Sequence, residues 1–240
     1  MGDEALRIRN LSASYGKLKV LSGVDLRVEA GQLVGLIGHN GAGKTTLLRV
    51  IAGLHRPMKN SEVLLGPVGE SAAGRNPLTS GVAFVPQSRG AFANLTVAEN
   101  IELGLWSGAR ISLSSPEGKH RLERVLRRIP LIEQLWNRPA GQLSGGQRSL
   151  VAIGRALVVA PRILLLDEPS TGLAPAMVKQ VMQVVDGIRS EDGAAVVLVE
   201  QSIPEVMAAA DYIYVLKGGA ISRSGKPAEF SDLNELLLEF

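Results

Sequence analysis

The sequence contains no cysteine, which excludes disulfide bonds, thiolate metal sites and cysteine nucleophiles together. Aromatic residues make up only 4% of the chain, so flat side chains on which nucleic-acid bases could stack are scarce. Although the net charge is +3, the lysines and arginines are interleaved with acidic residues rather than massed in one patch. We therefore expect no nucleic-acid partner.

Long hydrophobic runs are absent as well. No stretch approaches the ~20 apolar residues that a membrane-spanning helix needs. The acidic start at residues 1–5 does not resemble a secretory signal. The expected location is the cytosol, or a membrane surface at which a partner holds the protein. With 240 residues, of which 45% are hydrophobic, the chain can bury the core of one α/β domain that contains an insertion.

The most informative stretch is residues 38–45, GHNGAGKT, which has the spacing of a phosphate-binding loop. The run 33–37 before it is short and apolar, like a buried strand, and residues 45–54 have the apolar spacing of a helix. A glycine-rich turn that merely caps a helix is the alternative. The strand before the loop and the helix after it favour the phosphate-binding interpretation.

The residue types in this loop suit a nucleotide. We expect Gly38, Gly41 and Gly43 to take positive φ values, so that successive main-chain N–H groups face one anion. The following helix adds roughly half a positive charge at the same point. Lys44 would supply a full charge for the β and γ phosphates, and the Thr45 hydroxyl is a suitable ligand for Mg²⁺.

A pair of carboxylates follows another buried strand. Asp167 and Glu168 come directly after the apolar run 163–166, and the carboxyl ends of such strands are where α/β sheets bind ligands. Asp167 suits the role of a Mg²⁺ ligand, and Glu168 the role of positioning or deprotonating the attacking water. The alternative is that both acids are merely solvated at a strand end. The phosphate-binding loop in the same chain favours the functional interpretation.

Two further patterns stay open when taken alone. Residues 143–147, LSGGQ, precede a helical run, and small residues at a helix start expose N–H groups to an anion. A serine N-cap followed by flexible glycines would look the same. Tyr15 lies between two stretches of alternating polar and apolar residues that predict half-exposed strands. It is either a stacking partner for an adenine ring or an ordinary tyrosine at a strand end.

The middle of the chain is predicted to be helical. Thr96 and Glu99 have the spacing of a capping box, which marks a helix start, and residues 117–136 form a charged helical stretch. The charges of that stretch suggest a solvated face, with a partner-docking surface as the alternative. Residues 91–138 are therefore interpreted as a helical insertion.

The C-terminal part predicts a further buried strand at 195–199. A second capping box is predicted from Ser202 and Glu205, a closing hairpin from residues 212–221, and a short helix from residues 231–240.

In this order the motifs resemble the ATP-binding-cassette (ABC) ATPases, and the resemblance covers nearly the whole chain. It implies an α/β fold with a P-loop NTPase core, in which a mixed sheet has flanking helices, together with an antiparallel β part and an inserted α-helical subdomain. In a single domain spanning 1–240, residues 1–90 and 139–240 would form the nucleotide-binding core, and about 91–138 the helical subdomain.

The resemblance also implies ATP and Mg²⁺ as the bound groups. The residues that it assigns to nucleotide binding are Tyr15, Gly38, Asn40, Gly41, Ala42, Gly43, Lys44, Thr45, Thr46, Ser144, Gly145, Gly146 and Gln147. The catalytic residues would be Glu168, Gln87 and Gln201, and the metal ligands Thr45, Gln87 and Asp167. In such a nucleotide-driven dimer, the LSGGQ segment of one cassette covers the γ-phosphate held by the phosphate loop of the other.

The implied partners are membrane-spanning permease subunits, a second ABC ATPase subunit that is either a copy or a paralogue, and a solute-binding protein. The protein would lie peripherally at the cytoplasmic face of the inner membrane. A soluble ABC ATPase without a transport role is the alternative. A regulatory module that does not hydrolyse ATP is argued against by Glu168.

Two positions depart from the usual family pattern. Gln201 stands where most relatives have histidine, and Ala174 stands where they usually have aspartate. Gln201 can donate a neutral hydrogen bond but cannot supply positive charge. Both departures are similar to one branch, the ATPase subunits of importers for branched-chain amino acids and related amides or urea.

Overall fold

The computed structural model describes residues 3–66, 70–71, 81–87 and 90–230. The helix predicted over residues 231–240 lies outside this part of the chain. The strands are β1 (Glu4–Tyr15), β2 (Leu18–Glu29), β3 (Leu33–Ile37), β4 (Glu62–Leu65), β5 (Glu70–Ser71), β6 (Val82–Val85), β7 (Ile163–Asp167), β8 (Ala195–Val199), β9 (Tyr212–Lys217) and β10 (Ala220–Gly225). The α-helices are α1 (Lys44–Ile51), α2 (Val97–Ala109), α3 (Pro116–Arg128), α4 (Leu131–Gln134), α5 (Gly145–Leu157), α6 (Pro175–Asp192) and α7 (Ile203–Ala209).

The strands form two sheets. The larger has the order β10-β9-β3-β8-β7-β6, and its strands pair in parallel except for the antiparallel pair β9 and β10. The smaller has the order β2-β1-β4-β5 and is antiparallel. The predicted combination of a mixed sheet with an antiparallel part is thereby confirmed.

The central strands of the larger sheet are covered on both faces. Every residue of β3, β7 and β8 is buried, which explains why these segments are continuously apolar rather than alternating. In β7, Leu164 and Leu166 join one hydrophobic core, whereas Ile163 and Leu165 join the other. The larger sheet is therefore a middle layer between two cores.

Different elements cover the two faces. The core on one face includes residues of α2, α3, α5 and α6, whereas the core on the other includes residues of α1 and the antiparallel sheet. Because α1 packs against the sheet directly after β3, its N-terminus is fixed at the carboxyl end of that strand. The carboxyl ends of β7 and β8 lie at the same edge, since these strands run parallel to β3.

The predicted helix start at Thr96 is confirmed. The Thr96 hydroxyl accepts a hydrogen bond from the Glu99 main-chain N–H at 3.2 Å, and the Glu99 carboxylate accepts one from the Thr96 main-chain N–H at 2.7 Å. The apolar residues of α2 and α3 share a core with the larger sheet. Ion pairs also join α3 to the end of α6, with Arg124 3.0 Å from Asp192.

The capping box predicted at Ser202 is wrong. The side chain of Ser202, the N-cap residue of α7, makes no capping hydrogen bond, and its ψ of 100° differs from the 166° of Thr96. That rotation takes the hydroxyl away from the first turn.

The closing hairpin is confirmed by β9 and β10, whose turn contains Gly218 and Gly219, both with positive φ. Among the described helices, none combines the length and the hydrophobicity that a membrane span requires.

Candidate active site

The loop between β3 and α1 has the conformation expected of a phosphate-binding loop at two of its three glycines. Gly41 has a φ of 86° and Gly43 a φ of 109°, a region that side-chain-bearing residues rarely occupy. The expectation of a positive φ is wrong for Gly38. A Cβ on Gly38 would lie 2.3 Å from the Leu216 carbonyl oxygen, so close packing against β9 is what requires glycine there.

Lys44 begins α1 and points back across the loop. Its side-chain nitrogen donates to the main-chain oxygens of Gly38 at 2.6 Å and His39 at 3.1 Å. The residue is 6% exposed, and burial lowers the pKa of its ammonium group while Glu168 and Asp167 act in the opposite direction. The positive charge is therefore held in place by the same loop whose N–H groups would meet the phosphates.

The N-terminus of α1 keeps its donors free of side-chain caps. The N-cap residue, Gly43, has no side chain that could accept a hydrogen bond from the first turn. Unpaired N–H groups together with the helix dipole make a helix start an attractive position for an anion. This arrangement suits the phosphate chain of a nucleotide.

Thr45 and Asp167 meet at the edge of the sheet. The Thr45 hydroxyl donates to the Asp167 carboxylate at 3.2 Å, which links α1 to the end of β7. Asp167 is 2% exposed, and this burial raises the pKa of its carboxyl group, although the hydrogen bond from Thr45 opposes the shift. A hydroxyl and a carboxylate side by side form the oxygen donor set that Mg²⁺ uses when nucleotide phosphates complete its coordination. The residues present thus fit the metal.

Glu168 adopts an unusual backbone conformation directly after β7. Its φ is 50°, a left-handed value that costs a residue with a side chain about 1–2 kcal/mol. Its main-chain N–H donates to the Val199 carbonyl at 2.8 Å, which anchors the turn to β8. Such strain is concentrated at functional sites, where the surrounding structure holds it.

Three donors converge on one oxygen of the Glu168 carboxylate. Oε2 accepts hydrogen bonds from the Gln201 side-chain amide at 2.7 Å, from the Thr171 hydroxyl at 3.1 Å and from the Gln87 side-chain amide. The structure thus brings together Glu168, Gln87 and Gln201, the three residues predicted to be catalytic.

Glu168, Gln87 and Gln201 line an open cavity of about 400 Å³ together with residues of the phosphate loop, whereas Asp167 and Thr171 do not line it. Its lining residues are Val20, Asn40, Gly41, Gly43, Lys44, Thr45, Thr46, Gln87, Glu168 and Gln201. Among the predicted nucleotide-binding residues of the first 90 positions, Tyr15, Gly38 and Ala42 do not line this cavity. Gly38 instead borders a neighbouring cavity of about 220 Å³ together with Gln201.

Tyr15 lies at the end of β1, beside the turn that leads into β2. It is 43% exposed, and its ring stacks on the ring of His55 with the centroids 4.3 Å apart. Its side chain is therefore accessible to a ligand, and both interpretations of this residue are compatible with the contacts.

The LSGGQ segment lies away from the cavity of the phosphate loop. Ser144 is the N-cap of α5, and its hydroxyl accepts from the Gln147 main-chain N–H at 3.3 Å while the Gln147 side chain accepts from the Ser144 main-chain N–H at 3.0 Å. Gly145 lines a second cavity, of about 250 Å³, which Glu168 also borders. In this chain, Glu168 thus separates two cavities.

Two residues of the site were not singled out from the sequence. Thr171 donates to Glu168 as described above, and Glu200 accepts from the Ser170 main-chain N–H at 2.8 Å. Glu200 is 3% exposed, and burial raises the pKa of its carboxyl group. A signal was available for Glu200, because it follows the buried strand β8 as Glu168 follows β7.

Comparisons with known proteins agree with this geometry. The sequence model of the ABC transporter family matches residues 21–171, more than half of the chain. The chain is 36% identical to the high-affinity branched-chain amino acid transport ATP-binding protein BraG of Pseudomonas aeruginosa, over 90% of both proteins. It is 37% identical to the sulfate/thiosulfate import ATP-binding protein cysA of Cucumis sativus, over 94% of this chain but only 63% of that protein.

The fold is also that of a solved cassette. A crystal structure of an ABC transporter's ATP-binding cassette in its ADP conformation matches with a TM-score of 0.84 and 28% identity, over 98% of both chains. The sequence resemblance and the expected fold class are thereby confirmed. The chain belongs to the ABC transporter family and has the ATPase fold of that family's ATP-binding cassettes.

Proposed function

We propose that this chain is the ATP-binding and ATP-hydrolysing subunit that energises a multi-subunit ABC importer. One observation carries the proposal: the phosphate loop, Glu168, Gln87 and Gln201 line a single cavity, and the Thr45 hydroxyl in its wall is hydrogen-bonded to Asp167. Charge for phosphate, a carboxylate for water and a hydroxyl paired with a second carboxylate for a divalent cation thus lie together at this cavity.

The phosphate chain of ATP would bind along the loop from Asn40 to Thr46. Main-chain N–H groups at the start of α1 would donate to the phosphate oxygens, and Lys44 would exchange its contacts with loop carbonyls for contacts with the β and γ phosphates. At the other end of the nucleotide, Tyr15 would stack on the adenine ring through its accessible face.

Thr45 and Asp167 would hold Mg²⁺, with Gln87 at the edge of the same cavity as a further ligand. When bound, the ion neutralises charge on the β and γ phosphates during transfer. For this role Asp167 has to be ionised, and the burial that raises the pKa of its carboxyl group opposes ionisation until a cation is present.

Glu168 would act as the general base. Its carboxylate takes the proton of a water molecule as the water oxygen bonds to the γ-phosphorus and the bond to the β-phosphate oxygen breaks, which yields ADP and phosphate. Gln87 and Gln201 would orient the carboxylate and the water through their amide groups. Gln201 would do so without adding positive charge.

The LSGGQ segment would serve a second cassette. Ser144, Gly145, Gly146 and Gln147 are separated from the phosphate-loop cavity of their own chain, so we infer that they cover the γ-phosphate bound by a partner ATPase subunit. Two ATP molecules would then lie at the interface of the pair. Loss of the γ-phosphate charge on hydrolysis would loosen the pair.

We further propose that the transported solutes are branched-chain amino acids or related amides. Support comes from BraG, which matches over 90% of both lengths, whereas cysA extends well beyond this chain. Gln201 and Ala174 also follow the pattern of that importer branch. The complex would contain membrane-spanning permease subunits and a solute-binding protein, with this subunit peripheral at the cytoplasmic face of the inner membrane. Similarity to importer subunits favours this function over a soluble ATPase without a transport role.

The test is purification of the tagged protein from its native membranes in mild detergent, with the untagged strain as the control. We expect polytopic membrane subunits and a second cassette subunit to co-purify. In the reconstituted complex, leucine with the solute-binding protein should stimulate ATP hydrolysis more than sulfate does. Recovery only from the soluble fraction, in every nucleotide state, would overturn the transport function, and stimulation by sulfate alone would overturn the choice of solute.

A further inference from the structure

The ring stacked on Tyr15 belongs to His55, a residue outside every motif of the family pattern. The two ring centroids are 4.3 Å apart and the planes are inclined by 29°, which is a stacked geometry. The His55 ring nitrogen Nε2 also lies 3.1 Å from the Ser14 main-chain oxygen, within hydrogen-bonding distance. His55 therefore holds both the ring of Tyr15 and the strand end that bears it.

The stacked pair lies beside the mouth of the phosphate-loop cavity. Tyr15 pairs with Leu18 across the hairpin of β1 and β2, and Val20, two residues further along β2, lines the cavity. Two residues of a strand span about 7 Å. The main-chain oxygen of Val20 would lie only 3.2 Å from a Cβ on Gly43, so this part of β2 contacts the phosphate loop directly.

His55 is also tied to the helix that begins at the phosphate loop. Its main-chain N–H donates to the Arg49 carbonyl of α1 at 3.2 Å. The same short segment bonds to β1 again, where the Met58 main-chain N–H donates to the Ser12 carbonyl at 2.7 Å. One residue thus connects the phosphate-binding helix with the Tyr15 ring.

We infer that His55 is a positioning residue for the nucleobase. It covers one face of the Tyr15 ring and fixes the orientation of that ring, so that the other face is presented to the base of the nucleotide bound at Lys44. The bound arrangement is a three-layer stack of His55, Tyr15 and a flat purine. This inference rests on the proposed ATP-binding function, and it concerns the base rather than the phosphates.

The test compares two ligands by titration calorimetry: Mg²⁺ with ATP, and Mg²⁺ with inorganic tripolyphosphate, which has no base. We expect His55→Ala to weaken ATP binding about threefold to tenfold, the range of an aromatic pair, and to leave tripolyphosphate binding within about twofold. Lys44→Ala is the matched control and should weaken both ligands. Equal weakening of both ligands by His55→Ala would reduce His55 to a structural role and overturn the inference.

Two substitutions of similar size separate the ring from the bulk of the side chain. His55→Phe keeps a flat ring and should retain ATP affinity within about twofold, whereas His55→Leu fills the space without a ring and should behave like His55→Ala. This pair decides the question even where the alanine variant fails to fold. Equal ATP affinity of the Phe and Leu variants would overturn the inference.

A double-mutant cycle tests whether His55 acts through Tyr15. In a Tyr15→Ala background, His55→Ala should change ATP affinity by less than about twofold, because the ring that it positions is gone. If His55→Ala lowered ATP affinity by the same factor in the wild-type and the Tyr15→Ala backgrounds, the inference would be overturned. Failure of the proposed function is distinguishable, since the wild-type chain would then bind neither ATP nor tripolyphosphate.

Discussion

The starts of α1 and α5 both follow glycine-rich segments, yet they present their N–H groups in different ways. At α1 the N-cap is Gly43, which caps nothing, and Lys44, Thr45 and Asp167 lie around the free donors. At α5 the N-cap is Ser144, whose capping box with Gln147 already occupies one donor of the first turn. The first helix start is surrounded by the proposed phosphate and metal ligands of its own chain, whereas the second shares a cavity with Glu168 but with none of those ligands.

The glycines of the phosphate loop and of the LSGGQ segment are required for different reasons. Gly41 and Gly43 have positive φ values, so their role is conformational. Gly146 has no positive φ, but a Cβ on it would lie 2.6 Å from the end of the Met177 side chain and 3.0 Å from its Cβ. A glycine in the LSGGQ segment therefore allows α5 to pack on α6. The comparison supports the proposal that the phosphate loop binds a ligand within its own chain and that the LSGGQ segment is presented to another molecule.

The largest effect is expected at Glu168. It tests whether ATP hydrolysis at the phosphate-loop cavity depends on this carboxylate. We expect Glu168→Gln to lower ATP turnover of the assembled complex by about 100-fold or more, because an amide cannot accept the proton of the water. ATP affinity should change less than about threefold, since the phosphate contacts stay in place. Steady-state ATPase assays and titration calorimetry measure the two quantities. Retention of more than half of the turnover would contradict the role of general base.

A smaller effect is expected at Gln201, which donates one neutral hydrogen bond to Glu168. Gln201→Ala should lower turnover by about tenfold or less, as expected for a hydrogen bond of ~1 kcal/mol. The measurement is the same steady-state assay, with Glu168→Gln alongside. Equal losses for the two variants would show that the glutamine is as indispensable as the carboxylate, contrary to this prediction.

The smallest effect concerns stability without nucleotide. Burial raises the pKa of the Asp167 carboxyl group above its ordinary value of 3.8, so the folded chain holds this proton at pH values where the unfolded chain has released it. The contribution of Asp167 to stability therefore falls as the pH rises through the window between the two pKa values. Asp167→Asn should remove this dependence and raise the Tm at pH 7 by roughly 2–4 °C.

Thermal unfolding followed at several pH values measures this effect. The exposed Glu123→Gln variant is the control for loss of one negative charge. A lower Tm for Asp167→Asn than for the control at pH 7 would show that the ionised carboxylate stabilises the site, which is the opposite sign. With Mg²⁺ and ATP present, the same variant should lose the metal-dependent part of its nucleotide affinity.

Local sequence patterns predicted several structural elements around the candidate site well. The phosphate loop, the strands that end at Ile37 and Asp167, and the capping box at Thr96 depend on residues that are close in sequence, so spacing alone indicates them. The order of the strands could not be predicted in this way, because it depends on which apolar faces meet in the folded chain.

Other features depend on residues far apart in the chain. Position 38 has to be glycine because β9 approaches it closely. No residue near position 38 in the sequence indicates that Leu216 will lie there. The bonds from Gln87 and Gln201 to Glu168, and the stack of His55 on Tyr15, are likewise contacts between segments that only the fold brings together. Sequence patterns predicted the proposed reacting groups, but not the neighbours that orient them.

The most direct test of the difference between the two helix starts is titration of Mg²⁺ and ATP into the isolated chain, at a concentration where light scattering shows a monomer. We predict one ATP per chain, an affinity about 10-fold to 100-fold lower for Lys44→Ala, and an unchanged affinity for Ser144→Ala. If Ser144→Ala lowered the ATP affinity of the monomer as much as Lys44→Ala does, the assignment of the LSGGQ segment to a second cassette would be contradicted. Absence of a saturable ATP site in the wild type would contradict the assignment of the phosphate loop itself.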